Sequence, residues 1–346
     1  KRCFFIIRFI NLHKQTKYMS EKIKRVGVLT SGGDSPGMNA AIRAVVRACA
    51  YYNVECVGIY RGYQGMIEGD FKEMGPRDVK NIINKGGTIL KSARSADFRT
   101  KEGRKKAYDN LVAAGIDSFV VIGGDGSFTG AEIFNEEYGF PVIGIPGTID
   151  NDIFGTSHTL GYDTALNTVI DAIDKIRDTA NSHNRLFFVE VMGRDAGHIA
   201  LNAGIGAGAE EILIPEEDFG LDRLVESLKR SKGSGKTSSI VVVSEGDKIG
   251  KNVFELKDYI EENMPEYDVR VSVLGHMQRG GSPSCFDRVL ASRLGVKAVE
   301  SLLEGKSNFM VGLNQDKVTL TPLEQAIKGQ SEIDMELVKV SDIVSS

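Results

Sequence analysis

From Arg25 onwards, the chain alternates between short apolar runs rich in β-branched residues and longer segments with helical periodicity. Short runs of this kind are typical of buried strands in a parallel sheet. Strands that alternate with helices of ten or more residues predict parallel sheets covered by helices on both faces. We therefore expect an α/β protein with two three-layer α/β/α domains, mostly parallel sheets, and an active site in the cleft between the domains.

The apolar runs and the segments between them predict the main elements. Strands are expected at residues 26–30, 55–60, 118–122, 141–145, 186–191, 212–215, 239–244 and 269–274. Helices are expected from about residue 35 to 51, and at 77–84, 102–114, 129–137 and 162–180. The first helix has a clear start signal, because Ser35 can cap its first turn and Pro36 suits the first helical position.

The length of 346 residues suits one large or two medium domains, and no Pro-rich or Ser-rich linker separates the halves. The domain boundary is therefore expected inside structured elements, near Leu160. One domain is expected to contain residues 19–160 and 277–327, and the other residues 161–276 and 328–346. Residues 1–18 differ in composition from the rest of the chain, so a disordered or vestigial extension is expected there.

Composition excludes several classes of protein. The net charge of −4 argues against a nucleic-acid-binding protein that works through a broad basic surface. The apolar stretch near the start is shorter than the roughly 20 residues that span a membrane, so no membrane association is expected. The four cysteines show no C-x-x-C spacing, which disfavours a zinc site and a disulfide framework and favours a cytoplasmic location.

Gly-rich and charged loops come directly after six of the predicted strands. These loops are Ser31–Asp34, Gly123–Ser127, Pro146–Asp152, Met192–Asp195, Ser244–Asp247 and Gly275–Gly281. In open α/β sheets, ligands bind outside the carboxyl ends of the strands. The six loops are therefore expected to line one ligand site.

The loop Gly-Gly-Asp-Gly-Ser, from Gly123 to Ser127, is a candidate phosphate-binding loop. Glycines allow backbone N–H groups to approach phosphate oxygens, and the following helix directs its positive end towards them. Asp125 could hold Mg²⁺ beside the phosphates, since this ion takes oxygen ligands and often only one or two carboxylates. The alternative is a Gly-rich turn with a capping Asp.

The sequence Pro-Gly-Thr-Ile-Asp-Asn-Asp, from Pro146 to Asp152, places two carboxylates two residues apart after a predicted strand. Like charges this close raise each other's pKa unless a cation separates them. One carboxylate could accept a proton while the other orients it. The alternative is a polar turn, for which Asp and Asn are favoured residues.

Basic residues in or beside the predicted strand-end loops suit a phosphorylated substrate, because Arg presents a planar donor fork to phosphate. This set consists of Arg94, Arg185, Arg194, Arg270, His276 and Arg279. Any one of them alone could instead form a surface ion pair. Arg43 and Arg47 lie one helical turn apart and could pair with acids or form a separate anion site.

Taken together, these motifs resemble those of the ATP-dependent phosphofructokinases of bacterial type. The resemblance extends from Lys24 to about Leu323. It rests on L-T-S-G-G-D-x-P-G-M-N from Leu29, G-G-D-G-S from Gly123, P-G-T-I-D-N-D from Pro146, M-G-R from Met192 and G-H-x-Q-R-G-G from Gly275. A lone G-G-D-G is less specific, since NAD kinases and lipid kinases also carry it.

The resemblance implies transfer of the γ-phosphoryl group of ATP to the 1-hydroxyl of fructose 6-phosphate, assisted by Mg²⁺. It makes Asp150 the general base, Thr148 a residue that positions the sugar, and Arg194 the group that stabilises the transferred phosphoryl group. The implied ATP-binding residues, all in the first domain, are Gly33, Arg94, Ser95, Gly124, Asp125, Gly126 and Ser127, with Asp125 as the Mg²⁺ ligand. The implied fructose-6-phosphate-binding residues are Thr148, Asp150, Arg185, Met192, Gly193, Arg194, Glu245, Arg270, His276 and Arg279.

The same resemblance implies a homo-oligomer, typically a tetramer, because Arg185 and Arg270 would reach the site of a neighbouring subunit. It also implies an effector site between subunits for ADP or phosphoenolpyruvate. The matching effector residues are Arg43, Arg47, Arg177, Glu210 and Lys236. Pro76, Ser234 and Thr237 replace residues that are commonly basic, so a multiply charged effector is expected to bind more weakly.

Three alternatives have different expected sequences. Pyrophosphate-dependent relatives tend to carry Asp in place of Gly126 and Lys in place of Gly147, so glycine at both positions favours ATP as the donor. The M-G-R and G-H-x-Q-R-G-G loops disfavour an NAD kinase. A catalytically silent sugar-phosphate sensor is disfavoured because Asp125 and Asp150 are both present.

Overall fold

The computed structural model describes residues 23–183, 185–217, 220–233, 238–248, 252–329 and 331–345. The extension expected at residues 1–18 and the predicted effector residue Lys236 lie outside this part of the chain. The described strands are β1 (Arg25–Thr30), β2 (Glu55–Ile59), β3 (Phe71–Glu73), β4 (Ser118–Gly123), β5 (Val142–Pro146), β6 (Arg185–Val191), β7 (Glu211–Leu213), β8 (Ser239–Ser244), β9 (Asp268–Val273), β10 (Phe309–Asn314) and β11 (Lys317–Pro322).

The helices alternate with these strands along most of the chain. In the described part of the chain they are α1 (Met38–Tyr51), α2 (Gly62–Glu68), α3 (Lys101–Ala113), α4 (Asp125–Tyr138), α5 (Tyr162–His183), α6 (His198–Gly206), α7 (Gly220–Gly233), α8 (Val253–Asn263), α9 (Cys285–Leu303), α10 (Leu323–Lys328) and α11 (Met335–Val344). Short 3₁₀ helices lie at Asp97–Arg99 and Gly275–Arg279. Among the described helices, none combines the length and the apolar character that crossing a lipid bilayer requires.

The first of two compact units is built on a seven-stranded sheet with the order β11-β10-β5-β4-β1-β2-β3. Its inner strands are parallel, and the edge strands β3 and β11 run antiparallel to their neighbours. All six residues of β4 are buried. Val120 and Ile122 pack with apolar residues of α1 and α9, whereas Phe119 and Val121 pack with α2, α3, α4 and α10 on the opposite face.

The second unit is built on a four-stranded parallel sheet with the order β7-β8-β6-β9. Phe187 and Val189 of β6 pack with residues of α5, α6 and α11. Leu186 and Phe188 point to the other face and pack with α7 and α8. Each unit therefore has helices on both faces of its sheet, which confirms the predicted three-layer α/β/α class.

The prediction of a helix at residues 77–84 is wrong, because this segment forms consecutive turns. The carboxylate of Asp78 accepts the backbone N–H of Gly75 at 2.9 Å, and Asn81 has a φ of 58°. Both features are typical of turns and stop helix propagation. Helix α1 also begins later than predicted, at Met38, because Gly37 has a left-handed φ of 105° and takes the capping position.

The division into units differs in part from the predicted domains. The chain passes from the first unit to the second after Leu160, which is where the domain boundary was predicted. Thr148–Asp152, predicted in the first domain, belongs instead to the second unit. The reason is that Ile149 is fully buried in the apolar cluster of the second unit. Residues 277–284 also belong to the second unit, since Ser284 donates its N–H to Thr164 at 2.9 Å.

Candidate active site

In the first unit, the loops that follow β1, β4 and β5 contact one another. Ser31 donates its N–H to the carbonyl of Ile122 at 3.0 Å, and Gly147 donates to the carbonyl of Gly123 at 2.9 Å. A Cβ atom on Gly123 would lie only 2.5 Å from the carbonyl oxygen of Ser31. The absence of a side chain at Gly123 is thus what allows the loops to approach this closely.

The predicted phosphate-binding loop forms the start of a helix. Gly124 is the N-cap residue of α4, whose first helical residue is Asp125. The first N–H groups of a helix have no intrahelical acceptor, and together with the helix dipole they favour a bound anion. Gly126 is exposed, with no atom within 4 Å of where its Cβ would be, whereas Ser127 is buried and its carbonyl accepts a hydrogen bond from Tyr63.

The segment that contains Arg94 and Ser95 packs against the loop after β1. The hydroxyl of Ser92 donates to the carbonyl of Gly32 at 2.5 Å, next to the predicted Gly33. Arg94 is exposed. The hydroxyl of Ser95 donates to Gln64 at 2.7 Å and accepts the N–H of Phe98 at 3.2 Å, so this side chain fixes the local backbone.

In the second unit, Asp150 is a buried carboxylate with an unusual hydrogen-bond pattern. Its Oδ2 accepts from the hydroxyl of Thr148 at 3.2 Å, and that hydroxyl oxygen is also 3.2 Å from the backbone N–H donor of Asp150. Its Oδ1 is buried and makes no hydrogen bond to any described residue. A buried carboxylate oxygen without a protein partner is costly, and a catalytic role is one explanation for such a group.

Burial raises the pKa of the Asp150 carboxyl, and the carboxylate of Glu245 raises it further. The pKa is lowered by the positive charges of Arg279 and Arg194 and by the hydrogen bond from Thr148, but burial raises it by more. These causes show that Thr148, Arg194, Glu245 and Arg279 all lie close enough to Asp150 to influence its charge. The second unit therefore brings four of the predicted site residues together around the carboxylate of a fifth, Asp150.

The loop after β6 is held in shape by Glu245. One carboxylate oxygen of Glu245 accepts the backbone N–H of Arg194 at 2.8 Å and that of Gly193 at 3.4 Å. Arg194 has a left-handed φ of 56°, and its side chain is half exposed and lies 3.9 Å from the carboxylate of Asp152. A strained backbone of this kind persists only where neighbouring contacts enforce it, and it is commonly found at functional sites.

The loop after β9 joins this group through a residue that the motifs did not single out. Gln278 is fully buried, accepts the N–H of Met192 at 3.2 Å and donates to the carbonyl of Gly275 at 3.0 Å. It therefore ties together the loops that carry Met192 and Arg279. Gln278 lies inside the G-H-x-Q-R-G-G motif, which marks it in the sequence as a possible site residue. Only the structure reveals that its side chain joins the loops after β6 and β9. His276 lies on the same 3₁₀ turn and is exposed.

The expectation that Arg185 and Arg270 lie at the strand-end loops is wrong. Arg185 is the first residue of β6, about 20 Å along the strand from Val191, and Arg270 lies in the first half of β9. Both guanidinium groups contact the carboxylate of Asp268, at 2.7 Å for Arg185 and 2.5 Å for Arg270. Asp268, which the sequence reasoning missed, makes these two arginines one basic cluster apart from Asp150.

The four described effector candidates divide between the two units. Arg43 and Arg47 lie on α1 of the first unit, where burial and the neighbouring Arg47 lower the pKa of Arg43. Arg177 and Glu210 belong to the second unit and form an ion pair at 3.6 Å. Arg177 also donates to the carbonyls of Ala207 and Gly208, so this pair fixes the turn after α6.

His198 is the first residue of α6 and is buried. Burial lowers the pKa of its imidazole, and its carbonyl accepts the hydroxyl of Tyr162 at 3.1 Å.

The two groups of residues, around Asp125 and around Asp150, are suited to different chemical tasks. The loop and helix start around Asp125 are suited to bind the phosphates of a ligand. The group around Asp150 combines a carboxylate of raised pKa with cationic side chains, which suits proton abstraction next to a developing negative charge.

Comparisons with a family model and with curated relatives all point to the same protein family. The family model described as Phosphofructokinase matches residues 25–302. ATP-dependent 6-phosphofructokinase 1 of Thermus thermophilus is 55% identical over 323 residues, which cover 93% of this chain and 100% of the relative. ATP-dependent 6-phosphofructokinase 2 of Bacteroides thetaiotaomicron is 54% identical over 318 residues, which cover 92% of this chain and 97% of the relative.

Solved structures share the fold of this chain. A phosphofructokinase from Saccharomyces cerevisiae matches with a TM-score of 0.84 and 37% identity over 93% of this chain and 46% of the yeast chain, so this chain spans about half the length of the yeast chain. A pyrophosphate-dependent phosphofructokinase from Marinobacter aquaeolei shares the fold, with a TM-score of 0.78 and 22% identity over 91% of this chain and 86% of that chain. The family match and the identity to relatives along nearly the whole length confirm the resemblance, and this chain belongs to the phosphofructokinase family.

Proposed function

We infer that this chain is an ATP-dependent 6-phosphofructokinase, which converts fructose 6-phosphate and ATP to fructose 1,6-bisphosphate and ADP in glycolysis. The observation that carries the inference is the environment of Asp150, a buried carboxylate influenced by Arg279 and Arg194, whose Oδ1 makes no hydrogen bond to the described residues. A base that accepts a hydroxyl proton needs a free oxygen, and a phosphoryl group in transfer needs positive charge. ATP-dependent relatives at 54% and 55% identity support the same activity.

In the proposed reaction, the 1-oxygen of the sugar attacks the γ-phosphorus and the bond from that phosphorus to the bridging oxygen of ADP breaks. Asp150 accepts the proton of the 1-hydroxyl. Thr148 donates to Oδ2 of Asp150, which leaves Oδ1 as the acceptor for this proton. Arg194 stabilises the charge on the phosphoryl oxygens. Phosphoryl transfer depends on alignment and charge neutralisation more than on covalent chemistry, and these groups are of the kinds that it requires.

We propose that the second unit binds the sugar phosphate through Met192, Gly193, Glu245, His276 and Arg279. Support comes from Gln278 and Glu245, which hold the loops after β6 and β9 in defined conformations. Arg185 and Arg270 are proposed to bind the phosphate of a neighbouring subunit's substrate, which requires a homo-oligomer, and we propose a tetramer. Their distance along β6 and β9 from the Asp150 group supports a role outside the subunit's own site.

We propose that the first unit binds ATP through Gly33, Arg94, Ser95 and the residues Gly124–Ser127. Mg²⁺ would be held by Asp125 together with phosphate oxygens. In the described residues, no group of three or more His, Cys, Asp or Glu side chains could hold a metal ion. A single carboxylate at Asp125 is compatible with Mg²⁺, because this ion often takes only one or two carboxylates and completes its shell with phosphate and water oxygens. When bound, it would neutralise charge on the phosphates.

ATP rather than pyrophosphate is the proposed donor because of two glycines. The space beside Gly126 is open, which leaves room for the larger nucleotide. A Cβ atom on Gly147 would lie 3.1 Å from Ile122 and 3.2 Å from Met38, so a lysine there would require both neighbours to move.

Regulation and location are further proposals. ADP or phosphoenolpyruvate is the proposed effector, bound by Arg43, Arg47, Arg177, Glu210 and Lys236. The absence of C-x-x-C spacing among the four cysteines supports the proposed cytoplasmic location.

The activity is tested by a coupled assay with fructose 6-phosphate, Mg²⁺ and either ATP or pyrophosphate. We expect turnover with ATP and little with pyrophosphate. Turnover with pyrophosphate alone would instead identify a pyrophosphate-dependent enzyme. Binding of the sugar phosphate without turnover on either donor would identify a sensor. Repeating the assay with ADP and phosphoenolpyruvate tests the proposed effectors.

The raised pKa of Asp150 predicts the acid side of the pH profile. A general base must be deprotonated, so kcat/KM for fructose 6-phosphate should fall as the pH drops through this raised pKa, at a higher pH than an ordinary aspartate with a pKa of about 3.9 would give. The measurement is kcat/KM for fructose 6-phosphate across the acid range, since this ratio reports the pKa of the free enzyme. An identical acid limb in an Asp150→Ser variant would assign the titration to another group.

A further inference from the structure

Lys91 has a left-handed backbone conformation, with a φ of 59°. Side chains with a Cβ atom rarely adopt this region, and Asn and Asp tolerate it best. The described non-glycine residues with positive φ are Asn53, Arg61, Asn81, Lys91, Asn151, Arg194, Asn308, Gln315 and Asp316. Only four of these are neither Asn nor Asp, and Lys91 is one of them.

The other three long side chains in this group have a visible reason for their conformation. Arg61 forms ion pairs with two acidic side chains. Gln315 lies in the two-residue turn between β10 and β11, where hairpin turns require positive φ. Arg194 belongs to the group around Asp150. Lys91 is exposed and its side chain forms no ion pair with any described residue, so no side-chain contact accounts for its conformation.

The strained backbone of Lys91 is enforced by its surroundings. The buried hydroxyl of Thr30, at the carboxyl end of β1, donates to the carbonyl of Lys91 at 2.8 Å. The N–H of Lys91 donates to the carbonyl of Thr88 at 3.2 Å. Strained residues that neighbouring contacts hold in this way cluster at active sites and ligand clamps.

The segment around Lys91 lies along the loop that follows β1. Ser92 donates its hydroxyl to the carbonyl of Gly32 at 2.5 Å, and the hydroxyls of Thr88 and Thr30, the last residue of β1, share a hydrogen bond of 2.9 Å. The segment therefore contacts the end of β1 and its loop on both sides of Lys91. The flexible four-carbon stem of a lysine allows its ammonium to reach an anion bound beside the loop.

We propose that Lys91 is an additional nucleotide-binding residue of this chain, whose ammonium contacts the phosphate chain of ATP. The inference rests on the proposed function, since it assumes that ATP binds beside the β1 loop. Lysine binds phosphate as a flexible point charge, and it adds to the exposed guanidinium of Arg94 three residues further on.

The test is a kinetic comparison of K91M, K91G and K91R with the wild-type chain. K91M removes the charge and keeps the strain, whereas K91G removes both. Both variants should raise the KM for MgATP by about fivefold to twentyfold, with the KM for fructose 6-phosphate unchanged. K91R should stay near the wild-type value because it keeps the charge. K80M, which removes another exposed lysine of the same unit, is the matched control and should change neither constant.

A KM for MgATP within twofold of wild type in K91M would overturn the proposal. So would a change in both KM values together with a lower melting temperature, which would indicate a structural role. If the wild-type chain does not phosphorylate fructose 6-phosphate, the proposed function fails, but calorimetric titration with MgATP still decides the role of Lys91. Equal Kd values for wild type and K91M, or no binding by the wild type, would overturn it.

Discussion

An Asp150→Ser variant should turn over about 10² to 10⁴ times more slowly than the wild-type chain, with KM values for ATP and fructose 6-phosphate that change little. This decrease in kcat is the usual contribution of a single positioned general base. Serine keeps a small polar group beside Thr148 but cannot take the proton of the 1-hydroxyl. The variant should fold normally, because removing a carboxylate whose pKa burial has raised relieves a desolvation cost. Steady-state kcat and both KM values, together with the melting temperature, are the measurements.

Asp195→Ser is the matched control, because it removes the same charge near the same arginine. The carboxylate of Asp195 lies 3.7 Å from the guanidinium of Arg194, but its side chain is 94% exposed. An exposed pair of this kind contributes little, so kcat should stay within about twofold of wild type. Equal losses in both variants would indicate a general charge effect, and unchanged turnover in Asp150→Ser would remove this residue from the proposed mechanism.

The parts of the fold that the sequence predicts are those in which burial dictates composition. β8 has the predicted bounds because all of its residues are buried, and buried parallel strands need continuous apolar runs. The edge strands β3 and β11 lack this signal, since β3 has no buried residue and β11 only one. The failed helix at 77–84 has a different cause: the Asp78 side chain bonds to backbone locally and favours a turn.

The candidate site likewise contains residues that the sequence predicts and residues that it does not. Loops that carry Asp125, Asp150 and Arg194 are recognisable because glycines and charged residues come directly after apolar strands. Side-chain contacts between distant segments leave no such local pattern. Gln278 bridges the loops after β6 and β9, and Asp268 joins Arg185 to Arg270. Gln278 lies within a motif, but the motif does not show what its side chain contacts, and Asp268 lies in no motif. Their roles depend on strand register, which only the folded chain defines.

A Gly126→Asp variant should lose ATP use while remaining folded. Gly126 is the second residue of α4, and an added Cβ atom would meet nothing within 4 Å, so the aspartate fits without displacing neighbours. Its carboxylate would, however, lie in the loop proposed to bind the phosphates. Like charges brought together cost several kcal/mol, so kcat/KM for MgATP should fall by about 10² to 10³. The KM for fructose 6-phosphate should be unaffected, because that substrate is proposed to bind the second unit.

Gly126→Asn separates the charge from the size of the new side chain. Asparagine has nearly the same shape as aspartate but no charge, so a smaller loss is expected if repulsion of the phosphates is the cause. Gly126→Ala should be close to wild type, because the open space accepts a methyl group and φ at this helical position is not left-handed. Equal losses in the Asp and Asn variants would show that bulk, rather than charge, excludes the nucleotide. Full ATP activity in Gly126→Asp would mean that the phosphates bind elsewhere, since no anion tolerates a carboxylate at contact distance without a measurable cost.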